Sequence, residues 1–219
     1  MAQKSQPSNG KWVVLAIVAA IATALLVAVV VGGGDEGSST TNSLPGGDVL
    51  AKENQPVVIE GTTLESLGDE AIDPMVGQVA PTLNGATFDG SGVSVTPGDG
   101  QAYMVVFLAH WCPHCNREVP RLIEWQASGA VPSELQVVGV STAVASDRPN
   151  YPPSQWAVDK GWTWPMMADS TSMEAAEAYG VSGYPFFVIV GADGEVKVRV
   201  SGEVEIAALT QIVGDALAD

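Results

Sequence analysis

Basic residues are scarce in this chain: nine Lys and Arg stand against 25 Asp and Glu in 219 residues. Two of the nine, Lys4 and Lys11, precede residue 32 and no acid does, so residues 32–219 hold 7 bases against 25 acids, a net charge of −18. Nucleic-acid binding needs clustered Lys and Arg to displace counterions from phosphates, and a body this acidic excludes it. Cysteine is scarce too, with two residues, which rules out a disulfide-framed scaffold. There are only two histidines. A structural zinc site needs two more ligands at compatible spacing, and neither a second cysteine pair nor a distant histidine exists. Disorder is excluded from the other side, because hydrophobic residues make up 46% and charged ones only 16%, too apolar a mix to stay unfolded. The length suits one ordinary domain with appendages.

The longest apolar run is Trp12–Val31 (WVVLAIVAAIATALLVAVVV), twenty residues without a charge. A helix of that length is about 30 Å long, the thickness of a bilayer's hydrocarbon core. A buried core helix is usually shorter and carries a polar stripe, which this run lacks. The rival is a cleaved signal peptide, whose apolar region is about 7–15 residues and ends at a small-residue site. This run is longer and leaves through Gly32-Gly33-Gly34-Asp35-Glu36, so residues 12–31 are expected to form an uncleaved single-pass anchor. Lys4, Lys11 and the terminal amine precede it and two acids follow it, which keeps residues 1–11 in the cytoplasm. No lipid-attachment cysteine follows the run. The expected location is the cell membrane, with the body of the chain extracytoplasmic, where disulfides persist.

Residues 32–48 (GGGDEGSSTTNSLPGGD) have almost nothing to bury and read as a flexible tether. Residues 49–75 contain one strand-like patch, Val57-Val58-Ile59, and no other periodicity. From residue 76 the pattern is that of an α/β domain. Tyr103–Ala109 and Leu135–Val140 are apolar runs of strand length, as for strands buried on both faces. A helix is expected over Cys112–Ser128, kinked at Pro120 where an N–H is missing. Two more helices are expected around residues 152–160 and 170–179. Phe186–Val190 and Val196–Val200 flank Asp193-Gly194, a tight-hairpin dipeptide. Ile206, Leu209, Val213 and Leu217 share one face of a final helix. This order predicts a mixed central sheet with helices on both faces.

Both cysteines lie in Cys112-Pro113-His114-Cys115, and both histidines, His110 and His114, lie beside or within that loop. The loop joins a buried strand to a helix. Pro113 suits the first helical turn, where its missing N–H costs nothing. Cys112 then sits at the helix N-terminus, where free N–H groups and the positive dipole end stabilise a thiolate. A cationic His114 would add to that effect. Cys115, one turn further in, is placed to resolve a mixed disulfide. Covalent haem attachment is excluded because Asn116, not histidine, follows the second cysteine. A purely structural disulfide here would close a four-residue loop, stabilising by only about 2 kcal/mol. Redox exchange is the expected chemistry.

From residue 76 onward the chain resembles the membrane-anchored thioredoxin-like proteins of the TlpA/ResA type. The matching stretches are Gly77-Gln78-Val79-Ala80-Pro81, the run from Val105 through His110-Trp111-Cys112-Pro113-His114-Cys115, Glu118-Val119-Pro120, and Tyr179 through Tyr184-Pro185-Phe186-Phe187. The resemblance implies a thioredoxin-like fold over residues 76–219 and protein thiol–disulfide oxidoreductase activity, with no cofactor and no metal. Cys112 and Cys115 are then the redox-active pair, with His114 tuning the first thiol. Pro185 matches the family's cis-proline, which with Tyr184 and Trp111 would bind an extended substrate strand. Glu118 matches an acid that shuttles protons to the buried cysteine. The implied partners are thiols and disulfides of exported proteins and a membrane redox partner for regeneration.

Three departures bear on the direction of electron flow. Val106 stands where thioredoxin proper has a buried Asp, Tyr184 is bulky for its position, and the Pro113-His114 dipeptide resembles that of the oxidant DsbA. Reduction, as in cytochrome c maturation, and oxidation of secreted proteins therefore both stay open. A copper(I) metallochaperone using the two thiolates and a histidine is an alternative of another class. A peroxidase is disfavoured because no peroxidatic motif surrounds either cysteine.

Overall fold

A computed structural model describes residues 52–218. The expected cytoplasmic N-terminus (1–11), anchor (12–31) and tether (32–48) lie outside them. Among the described residues no helix is long and apolar enough to cross a membrane. The elements are β1 (Val58–Glu60), β2 (Thr82–Ala86), β3 (Gly92–Val95), β4 (Ala102–Leu108), α1 (Pro113–Ala127), β5 (Leu135–Ser141), α2 (Pro153–Asp159), β6 (Met166–Ala168), α3 (Glu174–Ala178), β7 (Phe186–Val190), β8 (Val196–Ser201) and α4 (Ile206–Ala218).

The central sheet has the order β6-β5-β4-β7-β8. β4, β5 and β6 run parallel, whereas β7 and β8 are antiparallel to their neighbours. It is the mixed sheet the sequence predicts. Every residue of β4 is buried because the strand lies at the centre with both faces covered, which is why it reads as an unbroken apolar run. Its residues alternate between two cores. Met104, Val106 and Leu108 pack with Val119, Leu122 and Trp125 of α1 and Leu209 and Val213 of α4. Tyr103, Val105 and Phe107 pack on the other face with Ala175 and Tyr179.

That second face differs from the expectation of helices alone. α3 is only five residues long, shorter than the helix expected over 170–179. The side chain of Asp169 accepts hydrogen bonds from the N–H groups of Ser170, Ala175 and Ala176, so the chain turns there before the helix starts. The rest of the face is covered by the antiparallel sheet β1-β2-β3, which contributes Leu83, Val93 and Val95. These strands are short and half-exposed, so their sequence carries little apolar signal.

Residues 52–75, which lack periodicity, are tied to the body by tertiary contacts. β1 pairs with β2, and Val57 and Leu64 are buried. Glu53 accepts from the N–H and hydroxyl of Ser154 at the start of α2. The buried Arg199 of β8 forms a bidentate pair with Asp73 at 2.6 and 2.7 Å and donates to the carbonyls of Glu65 and Tyr179. Gly180, with φ +66°, lets these groups meet, since a Cβ there would collide with the Glu65 carbonyl and the guanidinium.

α1 runs through Pro120 as one helix. Proline cannot donate to the carbonyl four residues back, and that carbonyl, of Asn116, accepts instead from Lys160 Nζ at 3.3 Å. The side chain of a distant helix end replaces the missing backbone bond.

Candidate active site

The β4–α1 turn is built from its own backbone first. Cys112 is the N-cap of α1, in extended conformation, with Pro113 following and no side-chain cap bond. Its N–H bonds to Ala109 and its carbonyl accepts from Asn116 N–H, both at 3.0 Å. With no capping side chain, the first free N–H groups of the helix remain available to negative charge at the Cys112 position.

Both cysteines are in the thiol form and approach to 3.9 Å. Cys112 keeps 6% of its surface exposed while Cys115 has none, so the first cysteine is the more accessible of the two. Burial pushes the Cys115 thiol well above its ordinary value, opposed by a backbone contact at Ala109 and reinforced by the charges of Cys112 and Glu118. Glu118 is itself fully buried, one helical turn from Cys115 on the same face. Burial raises its carboxyl above the ordinary carboxylate range, against the pull of the Val204 N–H and Arg121. A thiol and a carboxyl both held towards their neutral forms thus lie one helical turn apart on α1, a spacing suited to passing one proton between them.

The opposite wall comes from the β7 entry. The Tyr184–Pro185 bond is cis, and the Tyr184 carbonyl accepts from Cys112 Sγ at 3.5 Å. Pro185 is buried. The Tyr184 ring meets Trp111 edge-on at 6.2 Å, and burial pushes its phenol above the usual value. Trp111 Nε1 donates to the Ala143 carbonyl at 2.7 Å, and the Arg148 guanidinium lies 4.9 Å above its ring. Cys112, Cys115, Trp111, Tyr184 and Pro185 thus converge on one spot from two loops.

The histidines behave differently. His110 is fully buried. Its Nε2 accepts from Ala145 N–H at 3.2 Å, so Nδ1 bears the proton donated to the Pro149 carbonyl at 2.9 Å. Burial lowers its basicity, and with both nitrogens occupied it braces the 143–150 loop. His114 is exposed and its Nδ1 lies 2.6 Å from Glu203. No group of three or more His, Cys, Asp or Glu that could hold a metal ion converges among the described residues.

Several participants escape the sequence. Asn116 donates to the carbonyls of His110 and Cys112 and accepts from Trp156 Nε1, all at 2.9–3.0 Å. Its adjacency to Cys115 is a signal, but its Trp156 partner comes from α2. Asn116→Ala strands the indole N–H of Trp156, a buried residue, and is expected to lower stability by about 1–3 kcal/mol, measured by urea unfolding. Glu203, Arg117 and Arg121 form an ion cluster beside the loop, and nothing in the sequence links residues so far apart.

Residues 76–199 match the AhpC/TSA family. The chain belongs to that family. It is 27% identical over 131 residues to the thiol-disulfide oxidoreductase ResA of Geobacillus thermodenitrificans, covering 58% of this chain and 70% of that one. It is 25% identical over 160 residues to probable nucleoredoxin 1 of Arabidopsis thaliana, covering 71% of this chain but only 25% of the plant protein's length. A thiol:disulfide interchange protein of the thioredoxin family from Chlorobium tepidum superposes with a TM-score of 0.51 at 27% identity, over 63% of this chain and 94% of its own. The fold is thioredoxin-like, and the membership supports an oxidoreductase activity.

Proposed function

We propose that this protein is an extracytoplasmic, membrane-anchored thiol–disulfide oxidoreductase that exchanges disulfides with cysteines of exported proteins through Cys112 and Cys115. The observation that carries this reading is the asymmetry of the pair: the first cysteine, at a helix N-terminus, keeps a little exposed surface, and the second is fully buried one turn from a buried carboxyl. In the reducing direction, the Cys112 thiolate attacks a substrate disulfide and expels one substrate thiolate, which takes up a proton. Glu118 accepts the proton of Cys115, whose sulfur attacks Cys112 and expels the second substrate thiolate. The substrate gains two electrons, and Cys112–Cys115 becomes a disulfide that a membrane redox partner must reduce again. Trp111, Tyr184 and Pro185 hold the substrate strand, with the Tyr184 backbone beside the reacting sulfur. The apolar run at 12–31 and the likeness to ResA support anchoring and reduction, as in cytochrome c maturation.

The oxidising direction is favoured by one observation. His114 and Arg117 stand on the first two turns of the helix whose N-terminus carries Cys112. A cation there stabilises the thiolate, and hence the reduced pair, which makes the disulfide more oxidising. A potential near roughly −270 mV fits a reductant and one near roughly −120 mV an oxidant.

The decisive experiment is trapping. Cys115→Ala in the full chain is expected to leave exported proteins joined to Cys112 as mixed disulfides, visible on non-reducing gels and absent with Cys112→Ser. Recovery of no such species from cells, with the variant folded, removes the proposal.

A further inference from the structure

Building on the exchange activity proposed above, we infer that Glu203 is a positioning residue: by clamping the cations of α1 it limits their pull on the Cys112 thiolate and thereby sets the oxidising power of the pair. Glu203 lies between β8 and α4, and its side chain is 20% exposed. Its carboxylate is met by three basic side chains from one face of α1. His114 Nδ1 and Arg117 Nη2 each lie 2.6 Å from Oε1. Arg117 Nε also bonds both oxygens, at 3.1 and 3.2 Å, and Arg121 Nη1 reaches Oε2 at 3.3 Å. His114 Nδ1 and Arg117 Nη2 are 2.9 Å apart, a separation of like charges, when His114 is protonated, that only a shared anion stabilises. The other charged groups at the cluster are Glu205 and Glu118, which Arg121 meets at 3.5 and 3.4 Å.

These basic side chains sit on the first three turns of the helix whose N-terminus carries Cys112, and His114 is one of the two residues between the cysteines. Arg117 holds Glu203 ionised first and His114 second, keeping its carboxyl down at about 2, so the anion is present at every physiological pH. Removing it leaves Arg117 without a carboxylate partner, while Arg121 keeps Glu118 and Glu205. The thiolate gains, the dithiol form gains with it, and the disulfide becomes easier to reduce.

The test uses the full chain in detergent, equilibrated with mixtures of reduced and oxidised glutathione, with the cysteine state read by alkylation. Glu203→Gln is expected to shift the equilibrium about threefold towards the dithiol, the size of a surface charge contact and equivalent to about 14 mV for two electrons. Arg117→Gln is expected to shift it the other way by a similar factor, and the double variant to return towards wild type. A Glu203→Gln equilibrium that is unmoved, or moved towards the disulfide, overturns the inference. Should Glu203→Gln fail to fold, as judged by circular dichroism, Arg117→Gln carries the test and an unmoved equilibrium overturns it. A wild-type pair that never equilibrates with glutathione brings down the exchange reading itself, whereas an intact couple insensitive to Glu203 removes only this role.

Discussion

Glu118→Gln is expected to slow the release of substrate from Cys112 by about 10²–10⁴-fold, the range that a positioned acid–base group contributes. The reason is electrostatic. Burial opposes charge on both Glu118 and Cys115, so ionisation of Cys115 calls for a proton acceptor, and Glu118, one turn along α1, is a carboxylate that burial has made more basic. Gln keeps an oxygen to accept from the Val204 N–H, which lies 3.3 Å from Glu118 Oε1, but it cannot take a proton. Single-turnover mixing of the reduced protein with a labelled peptide disulfide separates the two half-reactions. Formation of the mixed disulfide should proceed at the wild-type rate and its decay should fall. The wild-type decay rate should rise with pH as Glu118 ionises, above the ordinary Glu value of about 4.3, and the variant should lack that rise. An unchanged decay rate with an unchanged pH profile would remove the proton-transfer role. Burial raises the folded-state value of Glu118, so ionising it works against folding above the ordinary carboxylate range, and a neutral side chain is tolerated there.

Arg199→Ala is expected to destabilise the fold by about 3–5 kcal/mol, because it leaves one member of a buried ion pair without its partner. The Arg199 side chain is fully buried and that of Asp73 is 11% exposed. The guanidinium also satisfies two backbone carbonyls, of Glu65 and Tyr179. Its loss therefore leaves a carboxylate with only the Met75 N–H and strips a donor from two carbonyls at once, and it cuts the tie between residues 65–73 and the sheet. Urea unfolding monitored by tryptophan fluorescence measures the cost, and a change below 1 kcal/mol would contradict this account of the ion pair. The pH dependence has a definite sign. The Arg199 hydrogen bond, the largest influence, holds the Asp73 carboxyl below its ordinary range despite partial burial. A depressed carboxyl stabilises the fold fully above its unfolded value of about 3.9 and loses that contribution as pH falls further. Wild type should thus lose stability below pH about 4 more steeply than Arg199→Ala, in which that carboxyl has no cation to depress it.

The apolar strands were legible because burial on both faces leaves a local mark. β4, β5 and β7 are runs of Val, Phe, Leu and Ile that water would penalise anywhere else. The CxxC turn was equally plain: a thiol pair spaced by Pro113 and His114 between a strand and a helix is a local arrangement, written in consecutive residues. Harder to read were β2 and β3, whose alternation is short and whose outer face is wet, and residues 52–75, whose order comes from Glu53, Asp73 and Leu64 meeting partners more than a hundred residues away.

The two histidines show the same division. Sequence proximity put both beside the sulfurs, and nothing local distinguishes them. Tertiary structure assigns His110 to the Pro149 and Ala145 backbone, and turns His114 to Glu203.

Read alone, the chain of residues determined the sheet's central strands and the thiol pair, because periodicity and local spacing are properties of neighbours, while Glu118 came only from the resemblance to the TlpA/ResA type. Only the folded chain decided how deeply Glu118 is buried, which carboxylate clamps the basic face of α1, and which loops brace the cysteines. Desolvation and charge pairing depend on what lies across space, and separation along the chain does not encode that distance.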